Sequence, residues 1–447
     1  MTSDLSAIFK AYDIRGVYPD ELHEDIVRRI GAAFARFVES ESVVMGRDMR
    51  ASSQPLAAAF AEGVAASGVA IVDLGEVSTD ALYFASGRLD LPGVMFTASH
   101  NPARYNGLKM CKAQAVPIGS DSGMNEIREL AESLEPQRVS PHLREMDILP
   151  DYAAHCWSFV DPRALKPLKV AIDAGNGMAG KTAPVVFDGL PFEVSPLYFD
   201  LDGNFPNHPA NPIEEANLED LQKLVLDDGC DVGIAFDGDA DRMFLVDEQA
   251  QPISGSLTTA LVADTLLRKN PGEKIIYNLI CSWTVPEVIT ENGGQPIRTR
   301  VGHSFIKGVM AETGAIFGGE HSGHYYFRDN FRADSGMIAA LLVLEAMSAA
   351  DAPLSETLRP FRRYEASGEI NSEVTDQQGT IERLAATYSE GKQDRTDGLT
   401  VEFEDWWFNC RASNTEPLLR LNLEARTRQL MEAKRDEVLS TIKGEHS

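Results

Sequence analysis

A chain of 447 residues is long enough for about three to four domains with buried cores. Its 43% hydrophobic and 24% charged residues exclude wholesale disorder, collagen and coiled coil. With 41 basic against 68 acidic residues, the net charge of −27 disfavours non-specific binding to nucleic acid or to an anionic membrane.

Strand and helix patterns alternate along most of the chain. The N-terminal MTSDLSAIFKAYDIRG lacks a basic start followed by an apolar run, so no signal peptide is expected. Glu21 to Glu39 sets Ile26, Ile30, Phe34 and Phe37 at helical spacing. Ser42 to Met45 reads as a short strand ending at Gly46-Arg47-Asp48-Met49-Arg50, Ala51 to Ser67 as a helix, and Val69 to Leu74 as a strand. Leu91 to Phe96 is a strand running into Thr97-Ala98-Ser99-His100-Asn101-Pro102. The pattern restarts at Lys169 to Ile172, which leads into Asp173-Ala174-Gly175-Asn176-Gly177, and at Val232 to Phe236, which leads into Asp237-Gly238-Asp239-Ala240-Asp241-Arg242. Another unit begins at Lys274 to Tyr277 and continues through Gly314 to Gly319. Repeated units of this kind form sheets flanked by helices. Met337 to Leu344 is the most apolar stretch, but it stops at Glu345, far short of a membrane span. Beyond Pro360, Val401 to Phe408 alternates apolar and acidic residues as an exposed antiparallel strand does. Leu418 to Glu424 is another strand, and a charged helix follows. Polar stretches at Leu134 to Pro141, Glu248 to Pro252 and Leu358 to Tyr364 divide the chain into domains at 1–140, 141–250, 251–362 and 363–447. The five cysteines are far apart and form no CxxC pair, as expected of reduced thiols in a cytoplasmic protein.

The acid is unevenly spread: residues 161–250 hold 18 Asp and Glu against 6 Lys and Arg, a net of −12. Within that stretch lies the strongest local signal. Asp237, Asp239 and Asp241 alternate on a tight turn after an apolar strand, and such carboxylates converge on a hard divalent cation. With Glu248 they match EF-hand positions one, three, five and twelve, but Arg242 stands where that loop needs Gly, and the flanks read as strands. Arg242 beside the metal suits an anion that the metal also touches. Ser99 offers a hydroxyl on a turn at a strand's end, suited to phosphoryl chemistry, without the G-x-S-x-G elbow of an esterase. Nearby Lys109 serves as acid or base if its pKa is lowered. Arg411-Ala412-Ser413-Asn414-Thr415-Glu416-Pro417 combines Arg, hydroxyls, an amide and backbone N–H groups into an anion cradle. Gly318-Gly319-Glu320-His321-Ser322-Gly323-His324 mixes donors and acceptors that suit sugar hydroxyls, and its H-x-x-H has no partner supporting zinc. The basic residues of Phe9 to Gly16 and of Gly46 to Arg50 have a plainer reading as partners of surface acids.

In combination and in order, T-A-S-H-N-P, D-G-D-A-D-R, G-E-H-S-G-H and R-A-S-N-T-E-P resemble the α-D-phosphohexomutase superfamily, and most closely its bacterial phosphomannomutase/phosphoglucomutase group. The resemblance implies three similar mixed-sheet α/β domains plus a smaller C-terminal α+β domain around a central cleft. It implies interconversion of hexose 6-phosphate and hexose 1-phosphate through a phosphoserine and a hexose 1,6-bisphosphate intermediate. Mannose is the leading sugar and glucose, or both, the alternative. A Mg²⁺-dependent sugar phosphatase and a non-catalytic sugar-phosphate binding protein are the rival classes. By the resemblance, Ser99 carries the phosphoryl group, and Asp237, Asp239 and Asp241 hold Mg²⁺ together with an oxygen of phospho-Ser99. Lys109, His303 and Arg15 manage protons and charge, with His100 beside the phosphoserine. Tyr12, Arg242, Glu320, Ser322, His324, Arg411, Ser413, Asn414 and Thr415 bind substrate. The expected ligands are Mg²⁺, hexose 1,6-bisphosphate and small sugar phosphates, with no nucleic acid or membrane partner, in a monomer or homodimer. Two departures stand out. Asn278 to Trp283 lacks the basic residue often found there, leaving Trp283 to pack on a sugar face, and His321 occupies the sugar-loop position where relatives often carry Met or Gln.

Overall fold

The computed structural model describes residues 4–412 and 418–444, the side chains of residues 303 and 304 excepted. The chain divides into two compact units. The first runs to Ser254 and takes up Ser322–Thr357, and the second holds Gly255–His321 and the chain from Leu358 onward.

The first unit contains two mixed sheets. Across one, the strands run in the order Ile14–Val17, Tyr105–Lys112, Gly93–Phe96, Ser42–Arg47, Ala70–Glu76 and Leu143–Glu145. Ser42–Arg47 pairs in parallel with both Gly93–Phe96 and Ala70–Glu76, while Tyr105–Lys112 runs antiparallel to its neighbours. Helices Glu24–Val38 and Ser53–Ala66 follow the successive strands Ile14–Val17 and Ser42–Arg47, and their apolar faces (Val27, Ile30, Phe34, Leu56, Phe60) close over Val43, Met45 and Phe96. The second sheet has the order Pro252–Ile253, Met243–Asp247, Val232–Phe236, Leu168–Asp173, Phe192–Leu197, with Val232–Phe236 buried along its whole length. A strand buried on both faces reads as a continuous apolar run, which is why Val-Gly-Ile-Ala-Phe carries no alternation. Helix Gly336–Ala350 is apolar all round and buried, with Ser335 Oγ accepting the Ile338 N–H at 3.1 Å as its N-cap. Among the described residues no single helix is long and apolar enough to cross a membrane.

The second unit has parallel strands Gln295–Thr299, Lys274–Asn278 and Phe317–Gly319 packed by Gly255–Lys269 and Thr284–Glu291. It also holds an antiparallel sheet ordered Glu365–Glu373, Leu418–Ala425, Trp406–Ala412, Leu399–Glu402, Lys392–Asp394, covered by Gln377–Thr387 and Arg428–Lys443. The single exposed strand expected over Val401 to Phe408 is instead a hairpin. Phe403 N donates to Trp406 O at 2.9 Å, and the two strands register Val401 with Phe408. Glu404 and Asp405 form the exposed turn, while Val401, Trp406 and Phe408 belong to the core. The apolar–acidic alternation there marks a turn between two inward-facing strands.

Candidate active site

Ser99 sits in the turn after Gly93–Phe96 with φ 50°, a left-handed conformation that costs a non-glycine residue free energy. A side-chain turn is made here by Thr97, whose Oγ1 accepts the Ser99 N–H at 2.9 Å. Ser99 itself is thereby presented outward from the turn: its Oγ donates to Asp237 Oδ2 at 2.7 Å and lies 3.1 Å from His100 Nδ1. Two strand ends, Phe96 and Phe236, deliver these loops to one place. Gly238 permits the approach, since a Cβ there would stand 2.5 Å from Ser99 O.

One carboxylate oxygen from each of Asp237, Asp239 and Asp241 lies within 4.8 Å of the other two. All three side chains are buried, and so is Arg242. Arg242 Nε donates to Asp237 Oδ2 at 2.9 Å, and Lys109 Nζ bridges Asp239 Oδ2 at 2.7 Å and Asp241 Oδ2 at 2.6 Å. Thr79 Oγ1 also donates to Asp239 Oδ2, at 2.6 Å. Burial, with Asp239 and Asp241 alongside, pushes the Asp237 carboxyl up to about 7 despite Arg242. Burial acts the same way on Asp239, but the Lys109 ammonium outweighs it and holds that carboxyl below the ordinary range. Lys109 is raised, not lowered: burial opposes its charge, and Asp239 and Asp241 more than compensate. In this arrangement Lys109 is a charged partner of two buried carboxylates. The charge of Arg242, then burial, hold His100 well below the usual imidazole value, so its ring is neutral at pH 7.

A divalent cation fits these residues. Asp239 Oδ1 and Asp241 Oδ1 are buried and have no hydrogen-bond partner, and Arg242 Nη2 is a buried donor without an acceptor. Buried polar atoms are rarely left so, because each costs about 1–3 kcal/mol. The two oxygens suit a hard metal, and the donor suits an anion beside it.

Arg15 borders the same loop, with Nη1 on Asn101 Oδ1 at 2.5 Å and Nη2 on Asp13 Oδ2 at 2.5 Å. Tyr12 is half-buried in the bend before Ile14–Val17. Arg242 and His324 form an isolated antiparallel bridge. His324 Nδ1 lies 2.8 Å from Asp334 Oδ2 and 3.8 Å from Asp241 Oδ1. Ser335, next in chain, donates to the buried Asp80 at 2.8 Å and fixes that segment.

In the second unit, Glu320 is buried and its Oε1 accepts the Gly302 N–H at 3.3 Å, while Ser256 Oγ lies 3.0 Å from His321 Nδ1. Arg411 lies at the end of Trp406–Ala412 and donates from Nη2 to Glu369 Oε2 at 3.0 Å. The Trp283 ring meets Tyr364 edge-on at 5.5 Å and lines a cavity of about 570 Å³ with Glu287 and Phe403, and its backbone N–H donates to Glu424 Oε1 at 3.0 Å.

The sequence matches "Phosphoglucomutase/phosphomannomutase, alpha/beta/alpha domain I" over residues 6–138, domain II over 150–251, domain III over 254–364 and the C-terminal domain over 369–441. The chain belongs to the phosphoglucomutase/phosphomannomutase family. Curated members similar to it include phosphohexose mutases of Xanthomonas campestris, 41% identical over 98% of this chain and 99% of the relative. A phosphomannomutase of Escherichia coli K12 is 41% identical over 97% of this chain and 98% of its own length. Among solved structures, a phosphoglucomutase/phosphomannomutase family protein from Burkholderia thailandensis superposes with a TM-score of 0.90 at 33% identity, covering 100% of this chain and 99% of that one.

For this family member, the structure gathers Arg15, Ser99, His100, Lys109, Asp237, Asp239, Asp241, Arg242 and His324 in the first unit. Ser322 falls in that unit as well, and Glu320 and Arg411 in the second. Ser413, Asn414, Thr415 and the side chain of His303 lie outside the described residues. Thr79 and Asp334 were not singled out from the sequence. Thr79 follows Ser78 at the start of a helix and reads there only as a capping residue. Asp334 carries no motif of its own.

Proposed function

We propose that this isomerase moves a phosphoryl group between O6 and O1 of a hexose phosphate, with mannose as the sugar and Ser99 as the carrier. The observation that supports it most is Ser99 Oγ, 2.7 Å from Asp237, beside buried carboxylate oxygens that lack a hydrogen-bond partner. Asp237, Asp239 and Asp241 would hold Mg²⁺, which supplies Lewis-acid stabilisation of charge on the phosphoryl oxygens. In the forward half-reaction the sugar's free hydroxyl oxygen bonds to the phosphorus of phospho-Ser99 as the P–Oγ bond breaks, giving a hexose 1,6-bisphosphate. The bisphosphate turns end for end, and its other phosphoryl group returns to Ser99 Oγ. Lys109 and Arg242 set positive charge beside the transferring group, which is the main work of phosphoryl transfer catalysis. The attacking hydroxyl loses a proton, and the His324 imidazole, oriented through Nδ1 by Asp334, is the group built to handle it. Glu320 and Ser322 bind sugar hydroxyls, and Arg411 with Ser413, Asn414 and Thr415 binds the phosphate that is not reacting.

Phosphorus NMR of the protein with Mg²⁺, a trace of glucose 1,6-bisphosphate and mannose 1-phosphate tests this directly. A growing mannose 6-phosphate signal without inorganic phosphate is expected. Inorganic phosphate as the main product would make the protein a phosphatase. Faster conversion of glucose 1-phosphate would move the sugar assignment.

Arg411→Ala tests the distal anchor. Losing a charge-assisted contact is expected to cost about 2 kcal/mol, roughly a 30-fold rise in KM. The rate at saturation should fall far less, because the lost contact is made equally in ground and transition states. Steady-state kinetics with an unchanged KM would remove Arg411 from the anchor.

A further inference from the structure

Arg50 ends the segment Gly46-Arg47-Asp48-Met49-Arg50, which the sequence leaves as a partner for surface acids. The structure buries it, 2% exposed, and turns its guanidinium onto one loop. Nη2 donates to Ser99 O at 2.8 Å and to Asn101 O at 2.6 Å, while Nη1 donates to Pro102 O at 2.9 Å and to Tyr105 O at 3.1 Å. Nε donates to Asp48 Oδ2 at 3.1 Å, and Asp48 Oδ1 accepts from the Arg50 backbone N–H at 3.0 Å and from Ser53 Oγ at 2.5 Å. The Phe205 ring covers the guanidinium at 5.0 Å. Gly203 passes so close that a Cβ there would stand 2.5 Å from Arg50 Cα.

Four carbonyl dipoles aimed at one point repel one another unless a cation sits among them. Ser99 adds the strain of its left-handed φ. A loop with both features does not hold this shape unaided. We infer that Arg50 is the positioning residue of the phosphoryl-carrying loop, fixing the Ser99 backbone so that its Oγ stays against the Asp237 carboxylate. This rests on Ser99 being the carrier. Arg50 directs its side-chain donors at the loop and at Asp48, so it acts through Ser99 and not on the sugar. Lysine cannot replace it: three donors on one nitrogen do not span carbonyls spread from Ser99 to Tyr105.

Arg50→Lys in the full-length protein is the test. It keeps the charge and much of the volume but leaves buried carbonyls short of donors, so the melting temperature should fall and the readout is the split between kcat and KM. The expected result is a fall in kcat of about 100-fold, the size a misplacement of about 1 Å produces. KM for the sugar phosphate should stay within about threefold, because sugar contacts are untouched. The phosphoserine phosphorus resonance should broaden or split where the parent protein gives one line. General loosening of the fold would not separate kcat from KM. A kcat within about threefold of the parent's, with an unaltered resonance, overturns the inference. If Arg50→Lys does not fold, the isosteric Asp48→Asn, which removes the carboxylate charge facing Arg50 Nε, should show the same split at about tenfold, and parental kcat there overturns it equally. Full turnover by Ser99→Ala would refute the carrier reading itself, whereas an inactive Ser99→Ala beside a fully active Arg50→Lys would refute only the role of Arg50.

Discussion

Ser99→Ala is expected to reduce mutase turnover by about 10⁴-fold or more, the scale on which enzymes lose rate when a covalent nucleophile is removed. The substitution deletes one oxygen from a 5%-exposed residue, so it tests chemistry and not packing. It removes one hydrogen bond to Asp237 and leaves the Thr97 turn and the Arg50 contacts intact, because those use the Ser99 backbone. Alanine also tolerates φ 50° about as poorly as serine does, so backbone strain is nearly unchanged. Sugar-phosphate affinity should therefore survive while turnover is lost. Mass spectrometry should find a phosphoryl group at Ser99 in the parent protein and none in the variant. Turnover by Ser99→Ala within tenfold of the parent's would exclude a phosphoserine route.

The metal turn was legible because its information is local. Alternate residues on a tight turn after a buried strand throw carboxylates to one side, and Asp237, Asp239 and Asp241 do converge. Family membership was legible because four short motifs recur in order, and the matches to all four domains bear it out. What escaped depends on partners distant in the chain. Thr79 reaches Asp239 across 160 positions, and the Lys109 ammonium is set by carboxylates 130 and 132 positions away. No local pattern reports that a lysine will be clamped between two acids. The role of Arg50, in a basic segment whose plainer reading is pairing with surface acids, escaped for the same reason, since its acceptors are carbonyls, which sequence does not display. The hairpin at Phe403 to Trp406 escaped because two consecutive acids, Glu404 and Asp405, continue an apolar–polar rhythm while turning the chain.

Asp239→Asn is expected to act through the lost charge and one lost acceptor oxygen, since the amide otherwise matches the carboxylate in shape. In the parent, three buried carboxylates face Lys109 and Arg242, and the oxygens left over are Asp239 Oδ1 and Asp241 Oδ1. Neutralising Asp239 leaves two carboxylates against the same two cations. The site then no longer has the surplus negative charge that attracts a divalent ion, and Lys109 is more tightly committed to Asp241. The Mg²⁺ concentration for half-maximal rate should rise by about 100-fold, on the scale of losses in metal affinity when a ligand set is disturbed. At fixed sub-saturating Mg²⁺, kcat/KM should drop by about 10³-fold, the several kcal/mol that a metal contributes to transition-state charge. Metal-dependent stabilisation follows the same logic. Mg²⁺ raises the melting temperature of the parent through binding to the folded state, and Asp239→Asn should lose that increment. Asp239 also accepts from Thr79, so Thr79→Val separates the two roles. It removes a 2.6 Å hydrogen bond without changing charge, and should weaken Mg²⁺ binding only about tenfold. An unchanged Mg²⁺ titration for Asp239→Asn would place the metal elsewhere, and the unpartnered oxygens would then need another cation.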